Sequence, residues 1–290
     1  MDVNLFLQSI INGLVLASVY ALVALGLTLV FGVLDIVNFA QGQLLLLGAY
    51  VVYGLSTKGV GYWTALPIVL VGSAALGYGL DSALFARVRK TPMNGLLISI
   101  GLIAIFGDVV QRVWGPDQYD VPQPITTVIT VGSVRIPGAR LLIVAVTILV
   151  LIALTVFLRL SRPGAAIRAV AQNSEAAALM GIPVERYRHI AFAVSAALAS
   201  LGGVLLVAVF PVDPTLSDSP LLKGFIVLIL GGAGSPLGAV LGALVLGVSE
   251  AFGIGYWSAS GTQVLELVLL IVILYFRPTG LIRTAHEATL

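Results

Sequence analysis

The sequence predicts an all-α, polytopic membrane protein of about eight or nine transmembrane segments, with a broken helix near 231–236 and two halves arranged as an inverted repeat. Three observations carry that expectation. First, 59% of the residues are apolar, 10% are charged and the mean hydropathy is +1.09, whereas a soluble globule carries about 25% charged residues. Ionised side chains are expensive in hydrocarbon, so this composition fits lipid as the solvent. Second, uncharged apolar runs recur at the length of about 20 residues that spans a bilayer core. Third, the basic residues gather in a few connections, the pattern that sets topology in membrane proteins. The net charge of +2 gives no reason to expect a nucleic-acid partner. The chain has no cysteine, which excludes a disulfide framework, a thiolate metal site and a cysteine nucleophile.

Taken in order, the N-terminus lacks the basic start and small-residue cleavage site of a secretory signal, so it reads as a retained spanning helix. Candidate crossings cover 6–33, 38–56, 62–85, 93–114, 141–158 and 190–210, each bounded by charges or by Gly and Pro. In the connection 115–138, prolines at 116, 122, 124 and 137 flank the β-branched run 125–131, which predicts a small hairpin or extended cap. The stretch 224–249 is uncharged but is interrupted by Gly231-Gly232-Ala233-Gly234-Ser235-Pro236, so it reads as two segments, the first short. A last crossing, 262–276, stops at Arg277-Pro278.

Orientation follows from the basic residues. Arg87, Arg89 and Lys90 form one cluster, Arg159, Arg162, Arg168, Arg186 and Arg188 a second, and Arg277 with Arg283 a third. Placing these inside and the acidic connections 115–138 and 211–220 outside gives an external N-terminus. The C-terminus is cytoplasmic only if the glycine-interrupted stretch crosses twice. The parity then assigns 6–114 to a first repeat, 115–138 to an external loop, 141–158 to a linking helix, 159–189 to a cytoplasmic loop, 190–276 to an inverted second repeat and 277–290 to a cytoplasmic tail.

Several features bear on function. Gly234, Gly238 and Gly242 recur every four residues, a small face suited to close helix packing. A break at Gly231, Gly232, Gly234 and Ser235 frees backbone groups at membrane depth, where protein must bury them or an aqueous path must solvate them. Asn38, Gln41, Gly42 and Gln43 put amides between two apolar runs, either as a turn or as a second unwound helix. Within 159–189, residues 167–180 predict one alanine-rich helix stopped at Gly181-Ile182-Pro183, suited to lying on lipid or docking into a protein. Asp108 and Arg112 are spaced to pair on one helix face. An ion-coupled secondary carrier is the competing function; it needs an acid near the midplane, and Glu250 and Glu266 are its best candidates. No HExxH, GxSxG, metal-spaced cluster or P-loop lysine is present, so neither catalysis nor an ATPase site of its own is expected.

The stretches Asn12-Gly13, Ser18-Val19-Tyr20-Ala21-Leu22, Leu25-Gly26-Leu27-Thr28-Leu29-Val30-Phe31-Gly32-Val33, Val37-Asn38-Phe39-Ala40-Gln41-Gly42 and Leu47-Gly48-Ala49-Tyr50 together resemble the LivH type of permease subunit from branched-chain amino-acid ABC importers. So do Arg168-Ala169-Val170-Ala171-Gln172-Asn173, Glu175-Ala176-Ala177 with Gly181-Ile182, the segment 231–235, and Arg277-Pro278-Thr279-Gly280-Leu281. The resemblance spans nearly the whole chain. It implies that the loop holding Arg168, Glu175, Ala176, Ala177 and Gly181 is a coupling helix seated in an ATPase subunit, in place of the lipid-facing role that composition favours. It also implies a homologous second permease, two ATPase subunits that use ATP and Mg, an external solute-binding protein, and residence in a bacterial inner membrane. This chain itself is expected to hold no cofactor. Where the family often has histidine, this chain has Gln41, which keeps the polarity but removes a titrating group.

Overall fold

A computed structural model describes residues 3–89, 91–131, 134–277 and 280–282. The regular structure of the described residues is helical, apart from one short hairpin and an isolated bridge between Tyr119 and Val212. Helix α1 (Val3–Leu34) is followed by α2 (Gln41–Ser56) and α3 (Tyr62–Leu80). A π-helical turn (Asp81–Phe85) and α4 (Ala86–Val88) extend α3, and α5 (Pro92–Trp114) returns. Strands β1 (Val128–Val131) and β2 (Val134–Pro137) pair antiparallel, with Ile129 opposite Ile136, so the expected hairpin is present in the loop 115–138. Helix α6 (Gly138–Leu160) leads into α7 (Arg162–Gln172) and α8 (Ser174–Leu179). The last four are α9 (Val184–Leu206), α10 (Asp218–Gly231), α11 (Pro236–Tyr256) and α12 (Ala259–Phe276). Among the described residues seven helices are long and apolar enough to cross a membrane. Two more, α2 and α10, have 16 and 14 residues, about 24 and 21 Å at 1.5 Å per residue, too short to span the hydrocarbon core unaided.

Three boundaries differ from the sequence reading. The expected single helix 167–180 is two helices, because Asn173 adopts an extended backbone and its Oδ1 accepts from the Ala176 N–H at 2.9 Å, capping a new helix. The short segment expected from Gly224 starts at Asp218 and so contains Lys223. Gly234 does not share a helix face with Gly238 and Gly242: it lies in the break with φ +90°, outside α11. The break itself is where the sequence puts it. Gly232 leaves α10 at φ +99°, a region open to glycine, and Ser235 caps α11 through Gly238, with Pro236 at its first position.

The packing pairs repeat. Helix α1 packs on α11 as α3 packs on α9; α2 packs on α9 as α10 packs on α1; and α1 and α9 pack on each other. Small residues set these crossings, because without a hydrophobic drive between helices in lipid, close backbone approach supplies the attraction. A Cβ on Gly13 would stand 2.9 Å from the Val248 Cα, and one on Gly247 would stand 2.4 Å from the Ala17 N. In the other half a Cβ on Gly77 would stand 2.5 Å from the Ala196 Cβ. Gly26 meets Ser195 while Leu22 and Val23 meet Gly202, so α1 and α9 run antiparallel. Residues 3–114 and 184–276 therefore present equivalent helices in opposite senses, the geometry of an inverted repeat.

Candidate functional site

The two short helices meet by their N-termini. Gln41, the first residue of α2, is fully buried, and its Nε2 donates to the Ser195 carbonyl at 3.1 Å and to Ser195 Oγ at 3.0 Å. Ser195 Oγ donates in turn to the Gly26 carbonyl of α1 at 2.7 Å. Ser195 is the middle residue of α9 (Val184–Leu206), so α2 begins half-way along a spanning helix. There it meets the start of α10: a Cβ on Gly42 would stand 3.0 Å from Leu221, and the rings of Phe39 and Phe225 lie 4.7 Å apart. From this junction α2 runs toward the hairpin end, where Tyr53 stacks on Tyr119 at 4.5 Å. Helix α10 runs the opposite way, toward the Gly232 break.

Two half-length helices starting near mid-depth present two positive macrodipole ends and two sets of free first-turn N–H groups. The polar side chains there are amides and hydroxyls, together with the exposed carboxylate of Asp218 in the first turn of α10. Asn38 is buried, and its Oδ1 accepts from the Ala40 N–H at 3.1 Å, so it forms a turn before α2 and leaves the cap position to Ala40. Gln43 Oε1 and Ser217 Oγ are buried without a protein partner among the described residues; one lies in the first turn of α2 and the other at the start of α10.

The remaining proposed path residues lie at the far end of α10. Gly231 and Gly232 are buried, and the backbone freed by the break is paired by the chain after α12: the Leu281 N–H donates to the Leu230 carbonyl at 2.8 Å and the Ile282 N–H to the Gly231 carbonyl at 3.2 Å. A Cβ on Gly32 of α1 would stand 3.4 Å from the Gly234 Cα. Gly238 and Gly242 pack on Gly231 and Val227 of α10. Pro278, Thr279, Lys90 and Arg283 lie outside the described residues.

Sequence reasoning did not single out Lys223. In the structure its Nζ lies 2.6 Å from Glu250 Oε1 and 2.6 Å from Glu266 Oε1, and Tyr20 donates to Glu250 Oε2 at 2.7 Å. The two acids that would have served an ion-coupled carrier are thus bound to a buried lysine. A lysine in an otherwise apolar short segment was the signal available. A second network was also missed. Asp81, fully buried in the π-helical turn, receives Arg89 and lies 2.6 Å from His189 Nδ1. Arg89 and Arg188 both donate to Glu185. Burial holds the Arg89 pKa below its ordinary value, against the opposing pull of Asp81. Asp108 and Arg112 pair as expected, at 2.7 Å, and both are exposed.

The elbow of α7 and α8 projects from the end opposite the hairpin. Ala177 is its buried anchor, whereas Arg168, Glu175 and Ala176 are exposed. Helix α8 closes in a Schellman turn: Gly181 at φ +78° donates to the Ala178 carbonyl, and Ile182 donates to that of Ala177. The tip leaves Leu179 at 89% and Met180 at 83% exposure, two large apolar side chains beside a basic helix.

Comparison with known proteins gives the family. Residues 9–276 match the family described as the permease component of branched-chain amino acid transport systems. The chain is 33% identical over 293 residues to the high-affinity branched-chain amino acid transport system permease protein LivH of Escherichia coli (strain K12), covering 96% of this chain and 95% of that one. It is 27% identical to the permease protein LivM of the same organism, over 92% of this chain and 68% of LivM. A solved structure, PsaBC from Streptococcus pneumoniae in complex with Fab, shares the fold, with a TM-score of 0.51 at 14% identity over 96% of this chain and 94% of that one.

Proposed function

The chain belongs to the family of permease components of branched-chain amino acid transport systems, and on that premise we propose that it forms half of the alternating-access pathway of an ATP-binding-cassette importer. Branched-chain amino acids, or a related small polar solute, pass between it and a homologous second permease. The relative LivM is, by name, a permease protein of a high-affinity branched-chain amino acid transport system. An external binding protein delivers the solute. Two ATPase subunits bind ATP and Mg, for which this chain has no site of its own. The membrane is a bacterial inner membrane, with the N-terminus and hairpin outside and the α7–α8 elbow in the cytoplasm.

The observation that carries the coupling role is the exposed apolar tip of α8 on a helix otherwise tied to the bundle. A Leu and a Met held out at 89% and 83% exposure suit a groove in a partner subunit, since a lone exposed apolar knob on a basic support gains most by burial against protein. Arg168, Glu175, Ala176 and Gly181 surround the tip, with Ala177 fixing it from beneath. The N-terminal junction of α2 and α10 suits the solute step. Its amides and first-turn N–H groups suit the carboxylate of a zwitterion, and Asn38, Gln41, Gly42 and Gln43 are the residues assigned there. Gly231, Gly232, Gly234 and Ser235, at the far end of α10, are the other residues assigned to the path.

The test is ATPase stimulation in the assembled complex. Glu175→Arg with Gly181→Trp, and separately Leu179→Glu, are expected to abolish capture of the ATPase subunits while the permease keeps its elution profile in detergent. Full retention of stimulated ATPase activity in both variants would remove the coupling assignment.

A further inference from the structure

A cavity of about 370 Å³ opens at the hairpin end of the bundle, among the first turns of α1, the start of α6, the end of α11 and the chain just after α9. Its size is that of a small-molecule site, and no activity has been assigned to it above. Leu5, Leu16, Phe210 and Ile254 supply apolar wall, while Gln8, Ser9, Asn12 and Arg140 supply the polar groups. Among the described residues Arg140 is the only charged one in the lining. It is half-buried, it donates to Asn12 Oδ1, and among the described residues it enters no ion pair.

That placement needs an explanation. Arg140 is the third residue of α6, where the positive end of the helix dipole repels a cation. A partly desolvated guanidinium whose partner among the described residues is a neutral amide is costly, and an anion beside it relieves both penalties. The walls decide which anion. Leu5, Phe210 and Ile254 are 36%, 42% and 50% exposed, so the open side of the cavity continues as apolar surface toward the lipid-facing flank of α1. A free inorganic anion would leave that surface bare, whereas an acyl chain covers it. Among the described residues no carboxylate lines the cavity to receive the ammonium of a zwitterionic headgroup.

We propose that this cavity binds an anionic phospholipid, its phosphate on Arg140 and Asn12 and its acyl chain along Leu5, Phe210 and Ile254. The bound lipid then ties α6, the link between the repeats, to α1 and α11 at one membrane surface.

The experiment is native mass spectrometry of the delipidated chain in detergent, titrated with phosphatidylglycerol or phosphatidylethanolamine. Wild type is expected to prefer phosphatidylglycerol by about fivefold, the ratio given by about 1 kcal/mol per basic residue at an anionic surface. Arg140→Gln abolishes the preference and Arg140→Lys keeps most of it. Should Arg140→Gln unfold, Ile254→Glu at the exposed mouth serves instead and is expected to lower phosphatidylglycerol binding with the fold intact. Equal binding of the two lipids by wild type, or an unchanged preference in the folded variants, overturns the proposal. Displacement of the lipid by inorganic phosphate or by leucine would also overturn it, making the cavity an ion site in the first case and a solute vestibule in the second.

Discussion

Lys223 serves two carboxylates with one ammonium, inside a protein that has 13 acidic and 15 basic residues in all. Such a cluster holds α10 against α11, and α12 against both, because removing one member strands the others in a low dielectric. Lys223→Met is expected to cost roughly 3–5 kcal/mol, read as a large fall in the detergent melting midpoint, and the triple change Lys223→Met, Glu250→Gln, Glu266→Gln is expected to recover most of it. If the single and triple variants melt together, the cluster is not a mutual neutralisation. Glu250 and Glu266 were visible in the sequence as rare membrane acids. Their common partner was not, because residues 223, 250 and 266 share no helical period and meet only once three helices are packed. Gln41 shows the same limit: its polarity is plain in the sequence, but its bond to Ser195 spans 154 residues.

At the scale of elements, glycine positions separate by what lies opposite them. A Cβ on Gly203 would stand 2.0 Å from the Leu45 carbonyl oxygen, whereas one on Gly72 meets nothing within 4 Å. Gly203→Ala is therefore expected to cost about 1–3 kcal/mol through forced separation of α2 and α9, while Gly72→Ala is neutral or raises stability by up to about 1 kcal/mol through helix propensity. Melting in one detergent orders the two; equal midpoints would dismiss the close crossing. The long runs made most helices legible, since a spanning helix is little more than length and apolarity. The elbow was less so. Residues 167–180 read as one helix because alanine suits a helix anywhere, and only the backbone turn at Asn173 shows where the second begins.

For the whole molecule, the absence of native cysteine makes topology directly measurable. Ile129→Cys in the hairpin is expected to react with an impermeant maleimide added to intact cells, and Glu175→Cys only after permeabilisation. Labelling of both from one side would break the proposed orientation and the inverted repeat together. By itself the sequence determined the solvent, the fold class, the helix break at 231–236 and, through its stretches of family resemblance, the permease role, because each of these rests on local composition, spacing or motif. Only the tertiary structure decided that α2 and α10 begin at mid-depth and meet end to end, that residues 281 and 282 pair the backbone freed at the break, and that Glu250 and Glu266 share Lys223 as a common partner. Those facts depend on which helix lies beside which. In a bilayer that choice is made by close contact of small faces and by pairing of buried polar groups, neither of which leaves a periodic trace along the chain.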